Sequence, residues 1–167
     1  MREAQATVLS LPNTGMAVTI DIGDPSNIHP KDKRDVADRL TRIALANTYG
    51  RKMEFSGPRY DSMTAEGNAI RLRFTHVTAG LMAKGGELKT FTIAGKDGKF
   101  VPATARIDHD TLIVSSPDVP EPAAVRYAWE NYPEGANFFN GDGLPAAPFR
   151  TDHWDYEPPS LPAQRLP

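Results

Sequence analysis

The stretch from Thr19 to Lys33 constrains the fold of this chain more than any other. An apolar run from Met16 to Ile20 leads into a turn rich in Gly, Pro, Asp and Asn, and a helical pattern follows that turn. His29 stands at the end of the turn, directly before Pro30. A strand that leads into a helix through such a turn is typical of open α/β sheets, whose chemistry lies at the carboxyl ends of the strands. The sequence therefore predicts a functional imidazole between a strand and a helix.

The helical pattern after this turn covers residues 30–49. Its apolar residues recur at the i, i+4, i+7, i+8 spacing of one helix face, namely at Val36, Leu40, Ile43 and Ala44. Pro30 suits the first helical position, which puts His29 at or next to the N-cap. Upstream, residues 3–11 are interpreted as the last turns of a helix, and residues 16–21 as a short buried strand of a parallel sheet.

The character of the sequence changes after Gly50. Short alternating or β-branched stretches follow one another, separated by Gly, Asp and Pro turns. The stretches predicted as strands are Ala69–Phe74, Thr90–Ala94, Ala103–Ile107, Thr111–Ser115 and Ala123–Trp129. Segments 95–98 and 108–110 have the composition of hairpin connections. Short strands at such close spacing favour an antiparallel β-sandwich.

Together the two halves predict a fold of the class α/β plus β. A single strand–helix unit cannot cover its own apolar faces, so residues 1–55 are predicted to be the C-terminal part of an α/β domain. Residues 56–153 are predicted to form the β-sandwich. Residues 154–167 are rich in Pro and have little to bury, which indicates an irregular tail.

Composition limits the kinds of partner. The chain has 167 residues, a hydrophobic content of 40% and a formal net charge of −2, as expected of a globular protein. This charge balance does not indicate binding to nucleic acid or to an anionic membrane. No apolar run approaches the roughly 18 residues of a membrane-spanning helix. The chain has no Cys, and His76, His109 and His153 lack ligand spacing, so no metal site and no cofactor are predicted.

His29 is the candidate catalytic residue. A neutral imidazole can take a proton from a hydroxyl group and return it to a leaving group. Asp24 is the candidate catalytic carboxylate that would orient the ring; Asp21 also lies nearby, and a backbone carbonyl is an open alternative. Taken alone, a single His at a helix start is more often a capping or surface residue. No Gly-x-Ser-x-Gly motif supplies a nucleophile.

Several separated motifs resemble one known family. The stretch Leu9–Asp24, followed by Asn27–Lys33, is similar to the C-terminal portion of bacterial sialate O-acetylesterases, which belong to the SGNH-hydrolase superfamily. Further stretches that resemble this family, in the same order, are Tyr49–Gly50, Ser56–Pro58, Ile93–Gly95, Phe100–Ala103, Val125–Trp129 and Gly143–Asp152. The resemblance extends from about residue 2 to residue 154.

The resemblance implies an esterase that removes acetyl groups from sugar hydroxyls, typically those of sialic acid. The catalytic His of the family lies in an Ile-His-Pro segment, which corresponds to His29 here. The nucleophilic Ser of the family lies early in the chain, in a Gly-Gln-Ser-Asn type motif that has no counterpart in this sequence. The resemblance thus implies a C-terminal fragment that lacks the nucleophile and is inactive alone. Its partners would be an acetylated sugar substrate and a missing N-terminal half, and its location would be secreted or periplasmic.

Two other functions stay open. One is a non-catalytic, carbohydrate-binding β-sandwich module, and the other is the C-terminal subunit of a split esterase. A group of aromatic residues could stack on sugar rings, although core packing is the more common role of such a group. The group comprises Tyr127, Trp129, Tyr132, Phe138 and Phe139. Lys31, Lys33 and Arg34 could attract a sialate carboxylate, but a solvated helix face is the more common role of such charges.

Overall fold

The structure, a computed structural model, describes residues 1–154; residues 155–167 of the predicted tail lie outside the described residues. The first part of the chain carries the helices: α1 spans Arg2–Ala6, a 3₁₀ helix spans Thr7–Ser10, and α2 spans Arg34–Asn47. The strands of the described part follow in the order β1 Arg59–Glu66, β2 Ala69–Thr75, β3 Leu81–Ala83, β4 Phe91–Ala94, β5 Val101–Pro102, β6 Thr104–Asp108, β7 Thr111–Ser115, β8 Ala124–Tyr127, β9 Phe138–Asn140 and β10 Phe149–Arg150.

These strands form three antiparallel sheets. One sheet has the order β1-β2-β7-β6, a second has the order β10-β8-β4-β5, and β3 pairs with β9. In the first sheet Ile70 is opposite Val114 and Leu72 is opposite Leu112, so buried residues pair with buried residues. Because side chains alternate between the two faces of a strand, Arg71 and Arg73 point away from this core. The register therefore follows the hydrophobic pattern of the sequence.

The two four-stranded sheets share one hydrophobic core. Ile70 and Leu72 reach it from the first sheet, and Ile93 and Val125 reach it from the second. Aromatic rings fill its centre, with ring centroids 4.7 to 6.4 Å apart; they belong to Phe74, Phe91, Tyr127, Phe138 and Phe149. Two sheets over a common core fit the β-sandwich predicted for this region.

The strongest strand predictions correspond to β2, β4, β6, β7 and β8, with ends that differ by at most two residues. The hairpin predicted at 108–110 joins β6 to β7. The strands that the sequence analysis missed are exposed or very short. β1 is half-buried at best along its length, so it has no apolar alternation, and β5 and β10 have two residues each.

The N-terminal part differs from its prediction in three places. Residues 16–21 form no strand, because a strand needs a hydrogen-bonded neighbour and no segment of residues 1–154 pairs with them. The helix predicted over residues 30–49 begins only at Arg34 and ends at Asn47. The helix predicted over residues 3–11 is a five-residue α-helix followed by a 3₁₀ turn.

The later start of α2 removes His29 from the helix N-cap. Lys33 is the residue before the first helical turn. The carboxylate of Asp32, one residue before the N-cap, accepts the N–H of Asp35 at 3.0 Å and so satisfies one of the free backbone donors of the first turn. The imidazole of His29 therefore belongs to a loop, and the prediction that it lies at the helix start was wrong.

Helix α1 is bound to the β region by polar contacts. The Arg2 guanidinium donates to the carbonyls of Glu130 and Asn131 at 2.7 and 2.8 Å. Arg150 binds the carboxylate of Glu3 through two hydrogen bonds of 2.8 and 3.0 Å. Within residues 1–154, no helix has the length and apolar character that crossing a bilayer requires.

Candidate functional site

The loop that carries His29 is shaped by Asx turns. Asp24 accepts the backbone N–H of Ser26 at 2.9 Å and its hydroxyl at 2.7 Å. Asn27 accepts the backbone N–H of His29 at 2.8 Å. Such side chains close turns because they replace backbone acceptors. The loop thus presents Ile28, which is 90% exposed, and the exposed His29 to solvent.

A buried ion pair ties the two ends of this loop together. Arg39 of α2 donates to both carboxylate oxygens of Asp21 at 2.7 Å, and the two side chains are only 8% and 9% exposed. The same guanidinium donates to the carbonyl of Val18. A bidentate pair of this kind has defined geometry. It holds the residues before the loop against the helix after it, and it thereby limits where His29 can lie.

Asp24 has no hydrogen bond to the His29 ring in this arrangement. Its carboxylate is occupied by Ser26, and the hydrogen bonds from the Ser26 hydroxyl and backbone N–H hold the pKa of Asp24 below its usual value. Asp21 is bound to Arg39. Within residues 1–154, no hydrogen bond reaches the imidazole ring. The described residues therefore leave open which group orients the ring.

The serines near the candidate site bond to other groups. The hydroxyl of Ser26 donates to Asp24, that of Ser10 to the carbonyl of Thr7, and that of Ser56 to the carbonyl of Gly57. None of the serine hydroxyls in residues 1–154 donates to His29. The described part of the chain thus does not contain a hydrogen-bonded Ser–His pair, which is the arrangement that activates a serine.

A second imidazole lies where the N-terminal part meets the β region. Nδ1 of His76 is 2.7 Å from Oε1 of Glu54, and the same oxygen accepts the backbone N–H groups of Phe55 and Ser56. Burial raises the pKa of Glu54, but the bonds from His76, Phe55 and Ser56 outweigh it, so the pKa lies below its usual value. This pair joins the segment before β1 to the end of β2.

Asn140 reinforces the same junction. Its side chain is fully buried and donates to the carbonyls of Ser56 and His76 at 2.9 and 3.0 Å. Gly57 beside it has no room for a side chain, because a Cβ atom would overlap the carbonyl oxygen of Pro145. These contacts hold the segment before β1 against the end of β2, and we call them the Glu54–His76 junction.

The aromatic group of the sequence analysis divides in the structure. Tyr127, Phe138 and Phe139 are buried, as the core-packing alternative expects. Trp129 packs against the guanidinium groups of Arg126 and Arg150. Among the described residues, no cluster of His, Asp or Glu side chains is arranged to hold a metal ion.

The burial of Arg39 had a signal in the sequence that the sequence analysis did not use. Arg39 lies between Val36 and Ile43 on the face of α2 that is otherwise apolar. A cation on such a face needs a buried partner, and Asp21 at the end of the preceding apolar run is the partner that it has. The Glu54–His76 pair had no comparable signal, because its members are far apart in the chain.

Comparisons with known proteins give this geometry a context. No family model matches the chain. The curated sialate O-acetylesterase of Mus musculus is 34% identical over 155 residues, and those of Rattus norvegicus and Homo sapiens are 33% and 31% identical. Each match covers 83% of this chain. The chain belongs to the sialate O-acetylesterase family. This confirms the resemblance that the sequence motifs indicated.

The fold of the chain is also similar to that of a solved carbohydrate acetylesterase. A carbohydrate acetylesterase from Xanthomonas citri matches with a TM-score of 0.87 and 46% sequence identity over 91% of this chain. The chain spans only 28% of the mouse and rat family members and 35% of the Xanthomonas citri chain. The family relationship therefore concerns one part of longer proteins.

Proposed function

We propose that this chain is the His-bearing part of a carbohydrate O-acetylesterase of the SGNH type. Its N-terminal residues 1–55 would complete an α/β esterase domain, and residues 56–153 would form the attached β-sandwich. The observation that carries the proposal is His29, exposed on a loop whose ends are held by the Asp21–Arg39 pair. The names of the sialate O-acetylesterases and of the carbohydrate acetylesterase support an acetylated sugar as substrate.

The proposed reaction is an acyl transfer in two steps. A Ser hydroxyl from the remainder of the esterase adds to the acetyl carbonyl while His29 takes its proton. The imidazole then gives that proton to the sugar oxygen as the ester C–O bond breaks, which leaves an acetyl-serine. Water attacks this ester, His29 takes the proton of the water and returns it to the serine oxygen, and acetate leaves. No cofactor is needed for these proton transfers.

Asp24 is the carboxylate that we propose to orient the imidazole in the assembled site. In the isolated chain it holds the turn through Ser26, so this role requires that the turn rearrange on assembly. Asp24→Asn then lowers activity, and it does so less than the loss of His29. An unchanged rate in Asp24→Asn would leave the backbone carbonyl alternative.

The test is release of acetate from O-acetylated sialic acid. We expect none from the purified chain alone and turnover once the preceding portion of the Xanthomonas citri enzyme is added as a separate polypeptide. In that mixture His29→Ala lowers kcat by about 10⁶-fold, as for the His of other catalytic triads. Lys96→Ala, at an exposed position in the connection after β4, is the control and leaves kcat unchanged.

Each contrary outcome identifies a different error. Turnover by the chain alone that disappears in His29→Ala means that a nucleophile lies within these residues. Turnover in the mixture that survives His29→Ala means that His29 is not the acid–base group. Binding of acetylated sugars without turnover under any condition would favour the carbohydrate-binding module instead.

A further inference from the structure

The backbone of His29 is held within its loop by one side chain. The N–H of His29 donates to Oδ1 of Asn27 at 2.8 Å. Among residues 28–33, no other backbone N–H donates to a group within residues 1–154. The next such contact along the chain is the bond from the N–H of Asp35 to Asp32. The contact between Asn27 and His29 is therefore the hydrogen bond that defines the backbone of this stretch.

The imidazole ring of His29 has no hydrogen bond of its own in the described part of the chain, and it is exposed. The position of such a ring is set by the backbone that carries it. Pro30 adds a restriction from the other side, because the residue before a proline is disfavoured in the helical region of backbone conformation. Asn27 and Pro30 thus restrict the backbone of His29 from both sides.

Asn27 is itself held in place by the turn before it. Its N–H donates to the carbonyl of Asp24 at 3.4 Å, and the Asp24 carboxylate accepts the backbone N–H and the hydroxyl of Ser26. Two Asx turns therefore follow each other and meet at Asn27. The buried ion pair described above holds the start of the loop. A continuous series of contacts thus connects α2 to the backbone of His29.

We propose that Asn27 is a positioning residue for His29: it sets where the imidazole lies before the serine and the acetyl ester meet it. The inference rests on the proposed function, in which His29 transfers the protons. A base must lie within about 3 Å of the hydroxyl that it deprotonates, and a displacement of about 1 Å can cost about 100-fold in rate. Asn27 contacts neither substrate nor nucleophile in this role, and it acts only through the backbone of His29.

Backbone relaxation of the full chain tests this contact without any catalysis. The quantity measured is the ¹⁵N order parameter of the His29 amide, which is about 0.85 for a rigid backbone and below about 0.6 for a flexible one. We expect a rigid value in the wild-type chain and a flexible one in Asn27→Ala. Asn27→Asp keeps an acceptor oxygen at the same place and keeps the rigid value. The paired amides of β2 are the internal control and stay unchanged in both variants.

Acetate release in the mixture with the preceding portion of the Xanthomonas citri enzyme tests the consequence for catalysis. Asn27→Ala is expected to lower kcat by about 10- to 100-fold and to leave KM within about twofold, because the contact orients the base and does not bind the sugar. Asn27→Asp restores kcat to within about threefold of the wild type. Asn68→Ala is the control, since Asn68 is exposed between β1 and β2 and its side chain makes no hydrogen bond within residues 1–154.

Binding between the two polypeptides separates positioning from assembly. Asn27 is exposed, so its removal has to be shown not to weaken the complex itself. We expect the Kd between this chain and the preceding portion to change by less than about twofold in Asn27→Ala, and the loss of kcat to persist when that portion is saturating. A loss of kcat that disappears at higher concentration would assign Asn27 to the contact between the polypeptides and overturn the positioning role.

The outcomes separate this inference from the proposed function. A rigid His29 amide in Asn27→Ala overturns the inference, whether or not acetate is released. Full kcat in Asn27→Ala, or a loss that Asn27→Asp does not restore, also overturns it and leaves the function intact if His29→Ala inactivates the mixture. Full turnover in His29→Ala overturns the function and with it the catalytic role of Asn27, while the relaxation result still decides whether Asn27 holds His29.

Discussion

Residues 1–55 and residues 56–154 are stabilised in different ways. The β region buries apolar side chains from two sheets in one core, and its strands satisfy one another's backbone groups. The N-terminal region has no fully buried apolar side chain. Ile20 packs partly buried against the β core, and polar contacts do the rest: the Asp21–Arg39 ion pair and the bonds of Arg2 and Glu3 to the β region. The difference teaches that the main hydrophobic core belongs to the β region, whereas the N-terminal region is held mostly by polar contacts.

Truncating the core of the β region should have the largest effect on stability. Phe138→Ala removes a fully buried ring that touches Phe74, Phe91 and Tyr127 and should lower the free energy of unfolding by about 3–5 kcal/mol. Urea denaturation measures this change. Tyr132→Ala, which removes a 40% exposed ring, is the control and should cost about 0.5 kcal/mol or less. Similar costs for the two variants would contradict the assignment of the core.

Breaking the Asp21–Arg39 ion pair should destabilise the N-terminal region and leave the β region largely unaffected. Arg39→Met leaves Asp21 buried without a partner, at a cost of about 3–5 kcal/mol to the local structure. Because the β core does not depend on this pair, amides of α2 should exchange faster while the urea midpoint falls less than in Phe138→Ala. Arg34→Met is the matched control, because it removes from the same helix a guanidinium that is 89% exposed and pairs only at the surface, with Asp38. A global loss of stability equal to that of Phe138→Ala would show that the two regions unfold as one unit.

The junction between the regions should respond to acid. The folded pKa of Glu54 lies below the ordinary value of 4.5, so its contribution is present above pH 4.5 and is lost as the pH falls through the folded pKa. Glu54→Gln should cost about 1–3 kcal/mol at pH 7 and flatten the stability profile in that acidic range. Stability measured from pH 7 to pH 3 verifies this. Glu134→Gln, at an exposed position, is the control. An equal flattening of the stability profile in this variant would mean that Glu54 is not the source of the acid dependence.

The smallest effect is expected where α1 meets the β region. Glu3→Gln weakens the contact with Arg150, in which the Glu3 side chain is 49% exposed, and should cost about 0.2–1 kcal/mol. Since such pairs are screened by salt, the difference from the wild type should shrink in 1 M NaCl. Exchange of the α1 amides at low and high salt measures it. A larger loss that salt does not change would mean that α1 is packed as firmly as the β region.

The strands with strong hydrophobic alternation were predictable because the pattern and the pairing partner lie in the same sequence. β2 and β7 are examples: Ile70 and Leu72 alternate with Arg71 and Arg73, and the partner strand carries Leu112 and Val114. β1 escaped prediction because its side chains are mostly exposed. β9 escaped because three residues between turns carry too little pattern to distinguish a strand from a loop.

The sequence could single out a candidate site but not the contacts around it. The sequence singled out His29 and the turn around it, and its role stays a prediction. It placed His29 at a helix start, whereas the Asp32 side chain binds the first turn of α2 and the helix begins at Arg34. It also chose Asp24 as the carboxylate for the ring, whereas in the structure the Asp24 carboxylate accepts hydrogen bonds from Ser26 and the neighbouring Asp21 is paired with Arg39.

The sequence by itself determined the class of the β region, the turns that separate its strands, and the family, because these depend on local periodicity and on motifs in order. Only the tertiary structure decided that residues 16–21 stay unpaired, that Arg39 rather than an apolar residue is the buried member of α2, and that Glu54 meets His76. The physical reason is the same in each case. A backbone hydrogen bond between strands and a bond between distant side chains both need a partner, and the partner's place is set by the folded chain as a whole.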